Sequence, residues 1–155
     1  MTAMPEPYHH PATARRIALI ALSHLRLTGQ ALLPPAADPA TALWQASAVI
    51  VAHGTEPDPL FFFANRAALA RFGMTTARFI GMPSLLSAEA PLRAEREGLM
   101  QQVRRDGFIS DYAGVRIAAD GRRFCIEQAT VWNLIDDAGT VHGQAAAFDR
   151  WTDLG

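Results

Sequence analysis

Lysine is missing from this 155-residue chain: all 14 basic residues are arginine, spread along it in ones and twos. That spread offers no basic stripe for a nucleic-acid backbone, and a net charge of −1 supplies no attracting field. Neither nucleic acid nor a membrane surface is expected as a partner. Cysteine occurs once, as Cys125, so no internal disulfide can form, and a cytoplasmic protein is the expectation. Long hydrophobic runs are lacking too. The stretch IALIALSHLRL (17–27) follows Arg15-Arg16 and begins like a signal-peptide core, but Ser23, His24 and Arg26 interrupt it. It is also too short to span a bilayer.

Catalytic signatures are equally scarce. There is no GxSxG elbow, no GxxxxGK[ST] loop and no HExxH helix. The glycines of GVRIAADG (114–121) have the wrong spacing for a dinucleotide fingerprint. Asp136 and Asp137 are consecutive at a strand end, where side chains diverge, so they read as a turn and not as a carboxylate pair. No enzymatic activity is expected.

What is present is a half-apolar chain of one-domain length. Residues 1–11 carry Pro5, Pro7 and Pro11 and read as a flexible or loosely docked tail. Residues 12–46 read as a helical extension. Thr13 caps an amphipathic helix to about Leu27, with Ile17, Ala21 and Leu25 on the apolar side, Arg15, Arg16, Ser23 and Arg26 on the other, and Gly29 as the stop. Asp38-Pro39 then starts a short helix. From residue 47 to 155 the period changes. SAVIVAHG (47–54) and LFFFA (60–64) predict a β-hairpin.

FFFANRAALARFGM (61–74) then runs from strand into helix with no loop. Asn65 stands where an N-cap belongs and Gly73 where the helix must stop. A second short helix follows Thr75 and ends at Gly81, and Pro83-Ser84 opens a further brief helical piece. A longer helix (90–107) carries Leu92, Leu99, Met100 and Val103. Three strands close the chain (108–119, 122–136 and 140–151), turning at Asp120-Gly121 and at 136–139. The order predicts an α+β fold: a five-stranded antiparallel sheet, short helices on one face and an N-terminal helical extension.

That order, with the Asn-initiated helix ending in Phe-Gly and the AADGRRF turn, resembles a PAS domain. Taken together, FFFANRAALARFGM, MPSLLSAEAPLRAEREGLM, GFISDYAGVRIAADGRRF and VWNLIDDAGTVHGQAAAF resemble a MEKHLA domain, over residues 12–151. This PAS-related module is found at the C-terminus of certain plant homeodomain–leucine-zipper regulators and as small free-standing bacterial proteins. The resemblance implies a sensor that binds a small molecule in an internal cavity and signals through protein association. A ligand-free dimerisation module is the alternative.

PAS relatives that hold a photoreactive flavin need a cysteine in the helix equivalent to 75–87, and none is there. Cys125 on its strand reads as a small buried thiol. Haem needs an axial ligand, usually histidine. The 90–107 helix has none, so haem stays open only for an inward-pointing His53 or His142. His9 and His10 on a tail are poor metal ligands, and the residues name no cofactor. Pocket walls are expected from Phe63, Phe72, Tyr112, Trp132 and Phe148, and polar groups from Asn65, Arg66, Arg116, Asn133 and Gln144. An arginine facing the cavity without an acidic partner would be the informative case. A homodimer through the N-terminal helix and an exposed sheet face is expected.

Overall fold

A computed structural model describes residues 4–87 and 93–154. After a 3₁₀ turn (Glu6–His9) come α1 (Pro11–Thr28) and α2 (Pro39–Gln45), then β1 (Val49–His53), β2 (Phe61–Ala64), α3 (Arg66–Phe72) and α4 (Thr76–Phe79). A second 3₁₀ turn (Ser84–Ser87) precedes α5 (Arg93–Asp106), β3 (Phe108–Ile117), β4 (Arg123–Ile135), β5 (Val141–Phe148) and β6 (Arg150–Leu154). The expected Leu92 of the α5 stripe lies outside the described residues.

The antiparallel sheet runs β2-β1-β5-β4-β3, with β6 also on β4. Thr130 lies opposite Ala147 and Glu127 opposite Arg150, so β5 and β6 share one register along β4, parted at Asp149. The sixth strand thus continues the fifth, which the sequence presents as one run. Bulges interrupt the β3–β4 pairing beside Asp111 and Gln128, non-glycine residues at φ 60° and 52°. Bulges of this kind bend a long strand.

Successive residues of β1 face opposite ways. Ile50 and Ala52 join one buried cluster with α1 and α2; Val49 and Val51 join another with α3 and α4. The sheet is therefore covered on both faces, and the expected exposed face is occupied by α1 itself. Ile17 and Ile20 are fully buried there, and the Trp132 indole N–H donates to the Ile20 carbonyl at 3.0 Å.

The buried stripe of α1 is also rotated from the one the apolar spacing predicts. Ser23 and His24 face the sheet, whereas Leu22 and Leu25 are 42% and 48% exposed. The cause is polar satisfaction at the end of β4, beyond its pairing with β3. Ser23 Oγ accepts from the Ile135 N–H at 2.8 Å and donates to its carbonyl at 3.2 Å, and His24 sits edge-on to Trp132. A buried hydroxyl with two partners is well placed.

Residues 6–9 are docked, contrary to the loose tail expected of them. Tyr8 is 1% exposed; its hydroxyl donates to the Ala64 carbonyl at 2.8 Å and accepts from the Ala64 N–H at 3.1 Å. Those groups lie on the outer side of β2, the sheet edge, which residues 81–84 also cover. Helix α1 begins at Pro11 behind a His10 cap, two residues before Thr13.

Candidate functional site

Between the sheet and α5 lies a cavity of about 70 Å³. Phe61, Phe72, Met100, Ile126, Val131 and Phe148 supply its apolar walls, and His53, Tyr112, Arg116 and Gln144 its main polar groups. A second cavity of about 210 Å³ adjoins it, sharing His53, Met100 and Gln144, and extends under the 54–59 turn.

Strand register places the polar groups. His53 lies opposite Gln144 across β1–β5, and Gln144 opposite Asn133 across β5–β4. Gly143 permits the close approach: its φ is 148°, and a Cβ there would stand 2.1 Å from the His53 carbonyl oxygen. Two amides then tie the sheet to α5. Asn133 Nδ2 donates to the Val103 carbonyl at 3.1 Å, leaving Oδ1 to accept from Gln144 Nε2 at 3.2 Å. Gln144 Nε2 also donates to the Met100 carbonyl at 3.1 Å. With two acceptors around Nε2 the amide orientation is set. Gln144 Oε1 is then left buried without a partner among the described residues. An unpaired buried acceptor costs roughly 1–3 kcal/mol.

Arg116 enters from β3. Its Nη1 donates to the Val115 carbonyl at 2.8 Å and its Nη2 to the Tyr112 hydroxyl at 3.2 Å, with the guanidinium 5.7 Å from the Tyr112 ring centre. Gly114 makes this possible, because a Cβ there would meet the Tyr112 hydroxyl at 2.1 Å. Arg116 is half-buried and has no carboxylate partner among the described residues. Neutral groups position this cation without cancelling its charge.

Of the residues expected from sequence to bind a ligand, Phe72, Tyr112, Arg116 and Gln144 line the cavity, as does Phe148. Phe63, Asn65 and Trp132 do not. Phe63 packs against Tyr8 and Trp132 lies under α1, both on the opposite face, because bulges between Phe61 and Phe63 and beside Gln128 break the strand alternation. Asn65 has no free valence. Oδ1 accepts from the Ile50 and Ala68 N–H groups, and Nδ2 donates to the Leu43 and Ala48 carbonyls. Arg66 is exposed at the start of α3.

His53, left out of the residues expected to line the pocket, is buried and lines both cavities, with Nδ1 donating to the Gly54 carbonyl at 3.0 Å. Its position opposite Gln144 was the signal available, once the strands were paired. His142 instead bonds Asp136 at 2.8 Å, and that bond holds the Asp136 carboxyl below its usual range. Cys125 is half-buried, not buried, on β4.

The inward His53 makes haem worth testing against the space. At about 70 and 210 Å³ the cavities fall below the ~300 Å³ at which ordinary ligand pockets begin, so they fit neither a porphyrin nor a flavin ring. Among the described residues no group of three or more His, Cys, Asp or Glu is placed to hold a metal, and no helix is long and apolar enough to cross a membrane.

Comparison with known proteins agrees with the fold. Residues 14–153 match the MEKHLA domain family. The homeobox-leucine zipper protein HOX32 of Oryza sativa is 31% identical over 115 residues, 72% of this chain and 13% of that protein. Homeobox-leucine zipper protein ATHB-9 of Arabidopsis thaliana is 29% identical over 119 residues, 71% of this chain and 13% of its own length. The chain thus spans a small part of these plant proteins. Among solved structures, a PAS domain from Colwellia psychrerythraea superposes with a TM-score of 0.60 at 16% identity, covering 74% of this chain and 92% of that one. The PAS domain of a LuxR-family transcriptional regulator from Burkholderia thailandensis, in complex with ethanol, gives 0.56 at 22% identity, covering 76% and 97%. A light-oxygen-voltage domain gives 0.60 at 15% identity, covering 75% and 84%. The fold is PAS-like.

Proposed function

The chain belongs to the MEKHLA domain family, and we propose that it is a non-enzymatic sensor whose input is a small molecule held between the sheet and α5. The observation that carries this reading is the presence, in the lining of one largely apolar cavity, of a guanidinium without a carboxylate and a buried amide oxygen without a donor among the described residues. The buried amide oxygen is costly without a donor, and both groups can hold polar atoms of a ligand. Ethanol in the Burkholderia fold relative is a molecule of the scale this cavity suits. The same site gives the signal a route out, because Gln144 and Asn133 hold the Met100 and Val103 carbonyls of α5.

A panel of small acids, alcohols and amides tests this by thermal melting and by shifts of the Ala145 and Ala146 resonances. A ligand at one hundred times its Kd adds about 2.7 kcal/mol, a Tm rise of roughly 5–10 °C for a chain of this size. Filling the space with Ala146→Leu should remove the rise. A panel in which no compound raises Tm or moves those resonances overturns the sensor reading.

Output through association has its own support. Ala18, Leu22 and Leu25 form one exposed stripe on α1, at the spacing of a helix contact. We place a homodimer contact there, on the outer face of the helix and not on the sheet beneath it. Deleting residues 1–30 would remove Tyr8, Ile17 and Ile20 from the core, so substitution is the cleaner test. Leu22→Glu with Leu25→Glu should halve the solution mass by light scattering while leaving Tm within about 1 °C. A wild-type chain already monomeric at high concentration refutes the contact.

A further inference from the structure

We propose that the smaller cavity takes a short apolar monocarboxylic acid, its carboxylate held by Arg116 and the Tyr112 hydroxyl and its hydrocarbon tail lying against Phe72, Ile126 and Phe148. This assignment rests on that cavity being the sensor site.

Charge selects the head. No Asp or Glu lines the smaller cavity among the described residues, and the Arg116 guanidinium is its permanent charge. Arg71, a nearby cation, is already paired with Asp153 at 3.2 Å and lies outside the lining. A guanidinium has five N–H donors. Arg116 uses one on the Val115 carbonyl and one on the Tyr112 oxygen, so others remain for a carboxylate, which its planar fork suits. The Tyr112 hydroxyl accepts from Arg116, and its own proton meets no acceptor among the described residues. Phenol and guanidinium, 3.2 Å apart, can therefore donate to one carboxylate. A phosphate dianion would bring a second negative charge against apolar walls, with no second arginine in the lining to meet it.

Strand register selects the tail. Arg116 lies opposite Phe124, and Gly114 opposite Ile126. Phe124 in turn packs against Phe72 and Phe148, with ring centres 5.4 and 6.5 Å away. The apolar wall formed by Phe72, Ile126 and Phe148 thus stands at the Arg116 end of β4, within reach of a molecule a few carbons long. Gln144, opposite Asn133 at the other end of β4, takes no part in it. A volume of about 70 Å³ keeps the tail short, and three hydrocarbon side chains offer a further polar group nothing to bond.

The test titrates the intact chain with butyrate, butan-1-ol and n-butylammonium, one tail with three heads, and follows the Ile126 methyl resonances. Butyrate should bind about tenfold more tightly than the alcohol, and the ammonium no better than the alcohol. Acetate should bind about fifteenfold more weakly than butyrate, at about fourfold for each buried methylene. Arg116→Met, checked for folding by its melt, should level butyrate with butanol. Tyr112→Phe should weaken butyrate about fivefold and leave butanol unchanged. Butanol or butylammonium binding the wild-type chain as tightly as butyrate overturns the head, and so does an unchanged butyrate affinity in a folded Arg116→Met. Acetate binding as tightly as butyrate overturns the tail and leaves an adventitious ion only. Should the methionine variant not fold, the wild-type comparisons still decide. If no probe moves the Ile126 methyls while other members of the panel shift the Ala145 and Ala146 resonances, the proposed ligand is wrong and the sensor reading stands. If nothing shifts them, both fall.

Discussion

Asn65→Ala should unfold the domain or leave it barely folded at 25 °C. The side chain is fully buried, and all four of its hydrogen-bonding positions go to backbone: Ile50 and Ala68 N–H groups at 3.1 and 2.9 Å, Leu43 and Ala48 carbonyls at 3.1 and 2.8 Å. These groups belong to the end of α2, the start of β1 and the first turn of α3. One amide therefore joins three elements that the chain reaches in succession. Alanine strands four polar groups at about 1 kcal/mol or more each, against a total stability of ~5–15 kcal/mol for an ordinary domain. Asn65→Asp separates this role from simple capping. Aspartate is as good an N-cap as asparagine, so a capping role alone predicts little loss. Here it turns an acceptor toward the Leu43 and Ala48 carbonyls, and the loss should approach that of alanine. Urea unfolding of the three proteins at pH 7 decides it; an aspartate variant within about 1 kcal/mol of wild type refutes the joining role.

Asn65 also marks how far sequence reasoning reaches here. Its cap on α3 was legible because capping is local: residue type, position before an apolar run, and Gly73 seven residues after the first helical turn begins. The same holds for Asp38 on α2 and Gly29 after α1. The strand and helix order follows from the change of period, and the α+β class from that order. What escaped depends on partners far along the chain. Ser23 is buried because Ile135, 112 residues away, needs a partner. Tyr8 is buried because Ala64 is an edge residue. Of the cavity, Phe72, Tyr112, Arg116 and Gln144 were readable as chemistry, but face was not. Bulges beside Asp111 and Gln128 reset the alternation along β3 and β4, so counting by twos misplaces Trp132. The triple phenylalanine has the same ambiguity: Phe61 lines the cavity and Phe63 packs on Tyr8.

Tyr8→Phe should cost about 2–4 kcal/mol at pH 7, by stranding the Ala64 N–H and carbonyl that share the lost hydroxyl, and that cost should shrink in alkali. Burial pushes the Tyr8 phenol up to about 12, with the Ala64 bond opposing the shift. The folded state therefore holds this proton more tightly than the unfolded chain, whose phenol titrates near 10. Below pH 10 both states are protonated and the tyrosine contributes fully. Between pH 10 and 12 the unfolded chain gives up its proton first, so wild-type stability falls as pH rises. The phenylalanine variant lacks this loss. A shift of this size corresponds to roughly 2–3 kcal/mol, so the gap between the two proteins should narrow by about that much from pH 8 to pH 12. Urea midpoints of both at pH 8, 10 and 12 measure the gap, and taking the difference cancels every other titrating group. A gap that is small at pH 8 and constant to pH 12 would put the phenol in water. Residues 6–9 would then be the loose tail that their prolines suggest, and β2 would keep an open edge at Ala64.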